Sequence, residues 1–176
     1  MTREQALDRL RTRCSRGEMC SGQASSLLKR WSVKDGANVL SEKDIAYVIS
    51  VLVSEKFIDD TRFANAFVRD KLKFNGWGKQ KIVYKLKSLG ITDGVITDAL
   101  QENYYGSADG EVYDLSGQKV LEKLLDKKWK SLKAEEPLHS RKIKCIRFAL
   151  SRGFEYDSIM AIMGKIVNLA PDLKRK

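Results

Sequence analysis

Two prolines, three cysteines and a single histidine are all that this 176-residue chain holds of those types, and each scarcity excludes something. Cys14, Cys20 and Cys145 form an odd, sparse set with no CxxC pair, so reduced thiols are expected rather than a disulfide framework. With His139 as the lone imidazole, a zinc site has too few ligands and no Cys–His pair is available for nucleophilic catalysis. No metal, cofactor or catalytic residue is therefore predicted. The most apolar stretch, Ala46 to Val53, is far shorter than the roughly 20 residues that cross a bilayer. The N-terminal region mixes arginines with acids and has no apolar h-region, so neither a membrane partner nor a secretory leader is expected, and the predicted location is cytoplasmic. Glycine and proline together make 14 residues against 43% hydrophobic ones, which excludes collagen-like and low-complexity chains and predicts a folded core.

What the chain has in excess is positive charge, a net +10 that is spread unevenly. Residues 71–91 carry six bases and no acid, 92–118 carry six acids and no base, and 119–147 carry ten bases against four acids. Solvating the outside of helices is the common fate of a lysine. A stretch with no acids at all points further, to a face whose field attracts phosphates or an acidic protein surface.

Apolar residues recur at spacings of three and four through most of the chain, which predicts an all-α fold. The pattern predicts helices over residues 3–19, 21–33, 61–74, 79–89 and 118–132, one beginning at Ser41, and others near 93–103, 137–151 and 157–170. Ser41 and Asp44 stand in a capping arrangement, and Asp59 and Asp60 precede a helix whose free N–H groups they would accept. In the 79–89 helix, Ile82, Val83, Leu86 and Leu89 share one side, whereas Lys81 and Lys85 share the other with Lys87 beside them. In the 137–151 helix, Arg141, Lys144 and Arg147 are placed outward, opposite Ile143, Ile146 and Leu150. Trp31, Trp77 and Trp129 read as packing residues.

The chain also repeats itself. Residues 79–91 lie on residues 142–154 with an offset of 63, matching Gly90-Ile91 to Gly153-Phe154, and residues 21–33 form a weaker copy. The expectation is three tandem three-helix repeats stacked into an elongated curved array: a first repeat over 1–58, a second over 59–103, an acidic linker over 104–117, a third repeat over 118–170 and a basic tail over 171–176.

Within this frame, Phe57-Ile58-Asp59-Asp60-Thr61-Arg62-Phe63-Ala64, then Phe67-Val68-Arg69, Gly76, Lys81-Ile82, Leu86 and Gly90-Ile91 resemble the central repeat of the RecX regulatory proteins. Lys56 departs from that pattern, standing where the family usually has glycine before the aromatic residue. The resemblance implies a non-enzymatic modulator of the recombinase RecA that sits in the groove of the RecA filament on single-stranded DNA. Such proteins restrain filament growth, ATP hydrolysis, strand exchange and repressor cleavage. On this reading Lys71, Lys73, Lys79, Lys81, Lys85 and Lys87 form the central docking surface, with Arg141, Lys142, Lys144 and Arg147 as the third-repeat counterpart, and the protein acts as a monomer. Two alternatives stay open. The same basic helices would serve an independent, sequence-nonspecific nucleic-acid-binding module, with Trp77 and Tyr84 stacking on bases. A metal-dependent nuclease built on Asp59, Asp60 and Asp70 is the weaker alternative, because capping already accounts for the first two. Asp109, Glu111 and Asp114 of the linker are also expected to be able to shield the basic face.

Overall fold

The computed structural model describes residues 1–34, 39–105, 116–133 and 136–169. Among them the secondary structure is helical, with no strand: α1 (Arg3–Cys14), α2 (Ser21–Lys34), α3 (Glu42–Ser54), α4 (Asp60–Lys73), α5 (Lys79–Ser88), α6 (Asp93–Asn103), α7 (Gly117–Ser131), α8 (Leu138–Ser151) and α9 (Tyr156–Leu169). The chain divides into two compact units, Met1–Ala66 with Leu86–Ile96, and Phe67–Lys85 with Thr97–Lys176.

In the first unit, Ala6 and Leu10 of α1, Ala24 and Leu28 of α2, and Ile45, Val48 and Leu52 of α3 meet in one core closed by Ile58. Their spacings of three, four and seven put each set on one helical face, so burying that face is what selects these helices. The second unit has the same logic. Leu121, Leu125 and Trp129 of α7 pack with Cys145 and Ala149 of α8 and with Ile159, Ile162, Met163 and Val167 of α9, around Phe154.

Local chemistry sets the helix starts. Thr2 with Gln5 and Ser41 with Asp44 each form a reciprocal capping box, and the Ser116 hydroxyl accepts from the Lys119 amide. Hydrogen bonds from Ser41 and from Arg3 hold the Asp44 carboxyl down at about 2. Asp59 caps α4 as expected, accepting from the Arg62 amide at 2.9 Å. Asp60 does not. Its carboxylate accepts from the Ser21 amide at 2.7 Å and so caps α2, a helix begun 39 residues earlier. A second correction concerns α1, which ends at Cys14 rather than at residue 19. Met19 and Cys20 are buried, and the chain must reverse through Gly17 to bring them into the core. The predicted loop at Asp35-Gly36, residues 106–115 of the acidic linker with its shielding residues, and the basic tail over 171–176 lie outside the described residues.

The internal repeat is visible as a repeated turn. Gly90 and Gly153 close α5 and α8 with φ of +80° and +84°, in the left-handed region that costs glycine little. The Gly90 amide donates to Lys87 and the Ile91 amide to Leu86; 63 residues on, Gly153 donates to Leu150 and Phe154 to Ala149. Ile91 and Phe154 are then driven into the core.

A lysine stands in the corresponding conformation after α3: Lys56 has φ +64°, with Phe57 and Ile58 donating back to Leu52. The left-handed region costs an L-residue about 1–2 kcal/mol, partly offset in a glycine variant by about 0.5–1 kcal/mol of extra chain entropy. Lys56→Gly is therefore expected to stabilise the protein by about 0.5–1 kcal/mol. Thermal and urea unfolding of the two proteins would check this, and an unchanged or lowered midpoint would show that the lysine carries no strain.

At two joints a glycine lets one helix end approach the backbone of another closely. In the first unit the start of α2 abuts the end of α5, where a Cβ on Gly22 would overlap the Leu89 carbonyl and the Cys20 sulfur lies 4.0 Å from the same oxygen. In the second unit the start of α5 meets the end of α8. There Gly78 donates to the Arg152 carbonyl at 2.8 Å, Gln80 donates to the Gly153 carbonyl at 3.0 Å, and the Arg152 guanidinium donates to the Asn75 carbonyl at 2.7 Å. At this second joint, free N–H groups at the start of α5 thus meet free carbonyls at the end of α8, head to tail.

Candidate functional site

The acid-free segment folds its lysines around aromatic rings. Lys71, in the last turn of α4, lies 5.3 Å from the centroids of both Phe67 and Trp77, and Lys81 of α5 lies 4.8 Å from Trp77. Phe67 and Trp77 meet edge to face at 6.3 Å. The α4–α5 turn through Gly76 and Gly78 is what brings Lys71 and Lys81 to one ring, and both are half-buried there. Lys81 also donates to the Ser151 carbonyl at 3.5 Å.

The remaining predicted residues occupy several environments. Lys73 lies 5.3 Å from Phe74, a ring that is 73% exposed. Lys79 is drawn into a polar corner, with its amide donating to the Tyr104 hydroxyl at 3.2 Å and its ammonium 3.5 Å from Glu155. The hydrogen bond to Tyr105 raises the Lys79 pKa, and burial pushes the Tyr104 phenol up to about 12. Lys85 is exposed on α5, and Lys87 is exposed and paired with Asp93 at 2.7 Å. Lys142 is half-buried on α8, Lys144 pairs with Glu136 at 2.6 Å, and Arg147 is exposed.

Arg141 departs from the outward stripe. It is only 6% exposed, and its guanidinium sits 4.1 Å above the Trp129 ring. Spacing alone places it with Lys144 and Arg147. Packing of α7 against α8 instead brings Trp129 over it, and a planar guanidinium stacks well on an indole face.

Sequence reading also passed over a second aromatic centre. Phe148 has Arg152 at 4.6 Å and Lys128 at 5.6 Å from its centroid. The Phe148–Arg152 spacing of four on α8 and its end was a legible signal, whereas Lys128 comes from α7 and was not. Tyr84 is 76% exposed on α5, available at the surface rather than packed.

Among the described residues no group of three or more His, Cys, Asp or Glu is placed to hold a metal ion. Burial pushes the Cys14, Cys20 and Cys145 thiols up, away from the reactive thiolate. No helix among the described residues is long and apolar enough to cross a membrane. What the surface can do is attract and seat anionic groups on a rigid scaffold of cations and rings.

By class this is an all-α helical-repeat protein that carries a cluster of lysines on aromatic rings. Comparison with known proteins gives its relations: residues 59–100 match the second three-helix domain of RecX and residues 117–163 the third, together about half of the chain. The chain belongs to the RecX family. It is 32% identical over 127 residues to the regulatory protein RecX of Clostridium tetani, covering 71% of this chain and 53% of that protein. With the regulatory protein RecX of Clostridium botulinum strain Eklund 17B it shares 34% over 139 residues, covering 77% and 60%, and with that of Bacillus subtilis 32% over 140 residues, covering 77% and 49%. The chain thus spans about half to three-fifths of the length of these curated relatives. The fold is shared with the crystal structure of RecX from Lactobacillus salivarius, at a TM-score of 0.75 and 19% identity over 95% of this chain and 97% of that one. A second crystal structure of regulatory protein RecX superposes with a TM-score of 0.72 at 20% identity, covering 92% and 73%.

Proposed function

We propose that this protein binds RecA filaments on single-stranded DNA and restrains their ATP hydrolysis, recombinase and coprotease activities. It does so by docking, as a cytoplasmic monomer without cofactor or catalysis. The observation that carries the reading is membership of a family whose members are named regulatory proteins. The Lys71–Trp77–Lys81 cluster supports it, being a cationic patch within the stretch that matches the second three-helix domain of RecX. The proposed organisation is repeats over 1–58, 59–103 and 118–170, joined by the acidic linker over 104–117. Lys73, Lys79, Lys85 and Lys87, and on α8 Lys142, Lys144 and Arg147, are proposed to extend the docking surface, with Arg141 supporting it from within.

The test is RecA ATP hydrolysis on single-stranded DNA, with this protein titrated below the RecA concentration and with DNA in excess as a second arm. Inhibition that excess DNA does not relieve is expected. The Lys71→Ala, Lys81→Ala double variant is expected to raise the half-inhibitory concentration by about tenfold, since each lysine holds a polyanion mainly through charge. Inhibition that vanishes with added DNA would make the protein an independent nucleic-acid binder that competes for the strand. Unchanged inhibition by the variant would remove this patch from the surface.

A further inference from the structure

Charge counting passes over the first 60 residues, whose bases and acids nearly cancel, yet folding gathers three arginines there around one cavity. The cavity holds about 390 Å³ and lies entirely within the first unit. Arg13, in the last turn of α1, and Arg16, just beyond it, line one part, and Arg30 of α2 lines another. All three are exposed, and among the described residues none of them is in an ion pair. Glu18 is the one acid in the lining, and it is already committed to Arg62 at 2.7 Å. Met19, Leu27 and Leu89 supply an apolar floor, pinned by the close approach of Gly22 to the Leu89 carbonyl.

We infer that this cavity binds a nucleotide unit of single-stranded nucleic acid, with the phosphates held by Arg13, Arg16 and Arg30 and the base laid on the floor of Met19, Leu27 and Leu89. Three features select this ligand. Arginine's planar fork matches phosphate oxygens two at a time, and three uncompensated forks around one space leave a charge that only a polyanion neutralises. The floor is apolar, as a base face needs and a free inorganic ion does not. The volume falls at the low end of the range for small-ligand sites, suited to one nucleotide rather than a folded partner. The inference rests on the part of the proposed function that brings single-stranded DNA to this protein, but not on RecA.

The test is fluorescence anisotropy of the whole protein, without RecA, on a labelled oligothymidylate and on an abasic strand of equal length across a salt series. The Arg13→Ala, Arg16→Ala, Arg30→Ala variant is expected to bind about tenfold more weakly or worse, with the slope of log affinity on log salt reduced by about 2. The wild-type preference for thymidylate over the abasic strand is expected to disappear with it. Because the three side chains are exposed, circular dichroism and melting should be unchanged. Should the triple variant misfold, the single Arg30→Glu variant reads the same slope. An unchanged slope overturns the inference, and so does equal wild-type binding of the two strands. An acidic polyglutamate peptide that binds tightly, and loses its affinity in the variant while DNA does not, would give the cavity to an acidic protein segment and overturn it as well. Persisting RecA inhibition by the same variant would leave the filament reading intact, so the two can fail separately.

Discussion

Replacing Gly78 with alanine is expected to cost about 3 kcal/mol or more of stability, because the new methyl group has nowhere to go. Its Cβ would overlap the carbonyl group of Gly153 and the nitrogen of Phe154, which are backbone atoms that no rotamer change can remove. The two turns would have to part. With them would go the hydrogen bonds from Gly78 to Arg152 and from Gln80 to Gly153, leaving carbonyls at the end of α8 unsatisfied. The displacement would also reach Lys81, whose backbone and Cβ lie against Gly153, and so the cationic patch on Trp77. Urea unfolding measures the loss. Gly22→Ala, against the Leu89 carbonyl, is expected to behave alike in the first unit. A Gly78→Ala protein of unchanged midpoint would show that the joint is not closed in solution.

Truncating Trp129 to alanine is the second large expected effect, at about 3–5 kcal/mol. The indole is buried among Leu121, Leu125 and the residues of α8 and α9, so its removal opens a cavity in the core of the second unit. It also takes the aromatic platform from the Arg141 guanidinium, a cation–π contact of about 2 kcal/mol in a desolvated setting. Arg141→Ala separates the two contributions and is expected to lower the midpoint by the equivalent of about 2 kcal/mol. Arg147→Ala, whose side chain is exposed, is expected to leave the midpoint alone. Identical melting of the Arg141 and Arg147 variants would return Arg141 to the surface.

Much of this protein was legible as a string. The apolar spacings, the scarcity of proline and the caps at Ser41 and Asp59 are local signals, read within one or two helical turns, and they correspond to helices with those starts. The repeated Gly90-Ile91 and Gly153-Phe154 turns were legible for the same reason, since a left-handed turn and the buried residue after it are set by a few neighbouring residues. Even the departure at Lys56 could be seen in advance, and the backbone there has the conformation that glycine would favour.

The sequence by itself determined the all-α repeat, the acid-free segment and the family. Only the tertiary structure decided which charges became surface and which became core. Asp60 caps a helix far behind it, Arg141 lies beneath Trp129, and Arg13, Arg16 and Arg30 line one cavity although their segment is almost neutral in total. Helical periodicity tells which residues share a face of one helix, since that depends on neighbours three and four positions away. What that face meets depends on packing between segments tens of residues apart, and a guanidinium's fate there turns on whether a ring, a carboxylate or water happens to be opposite.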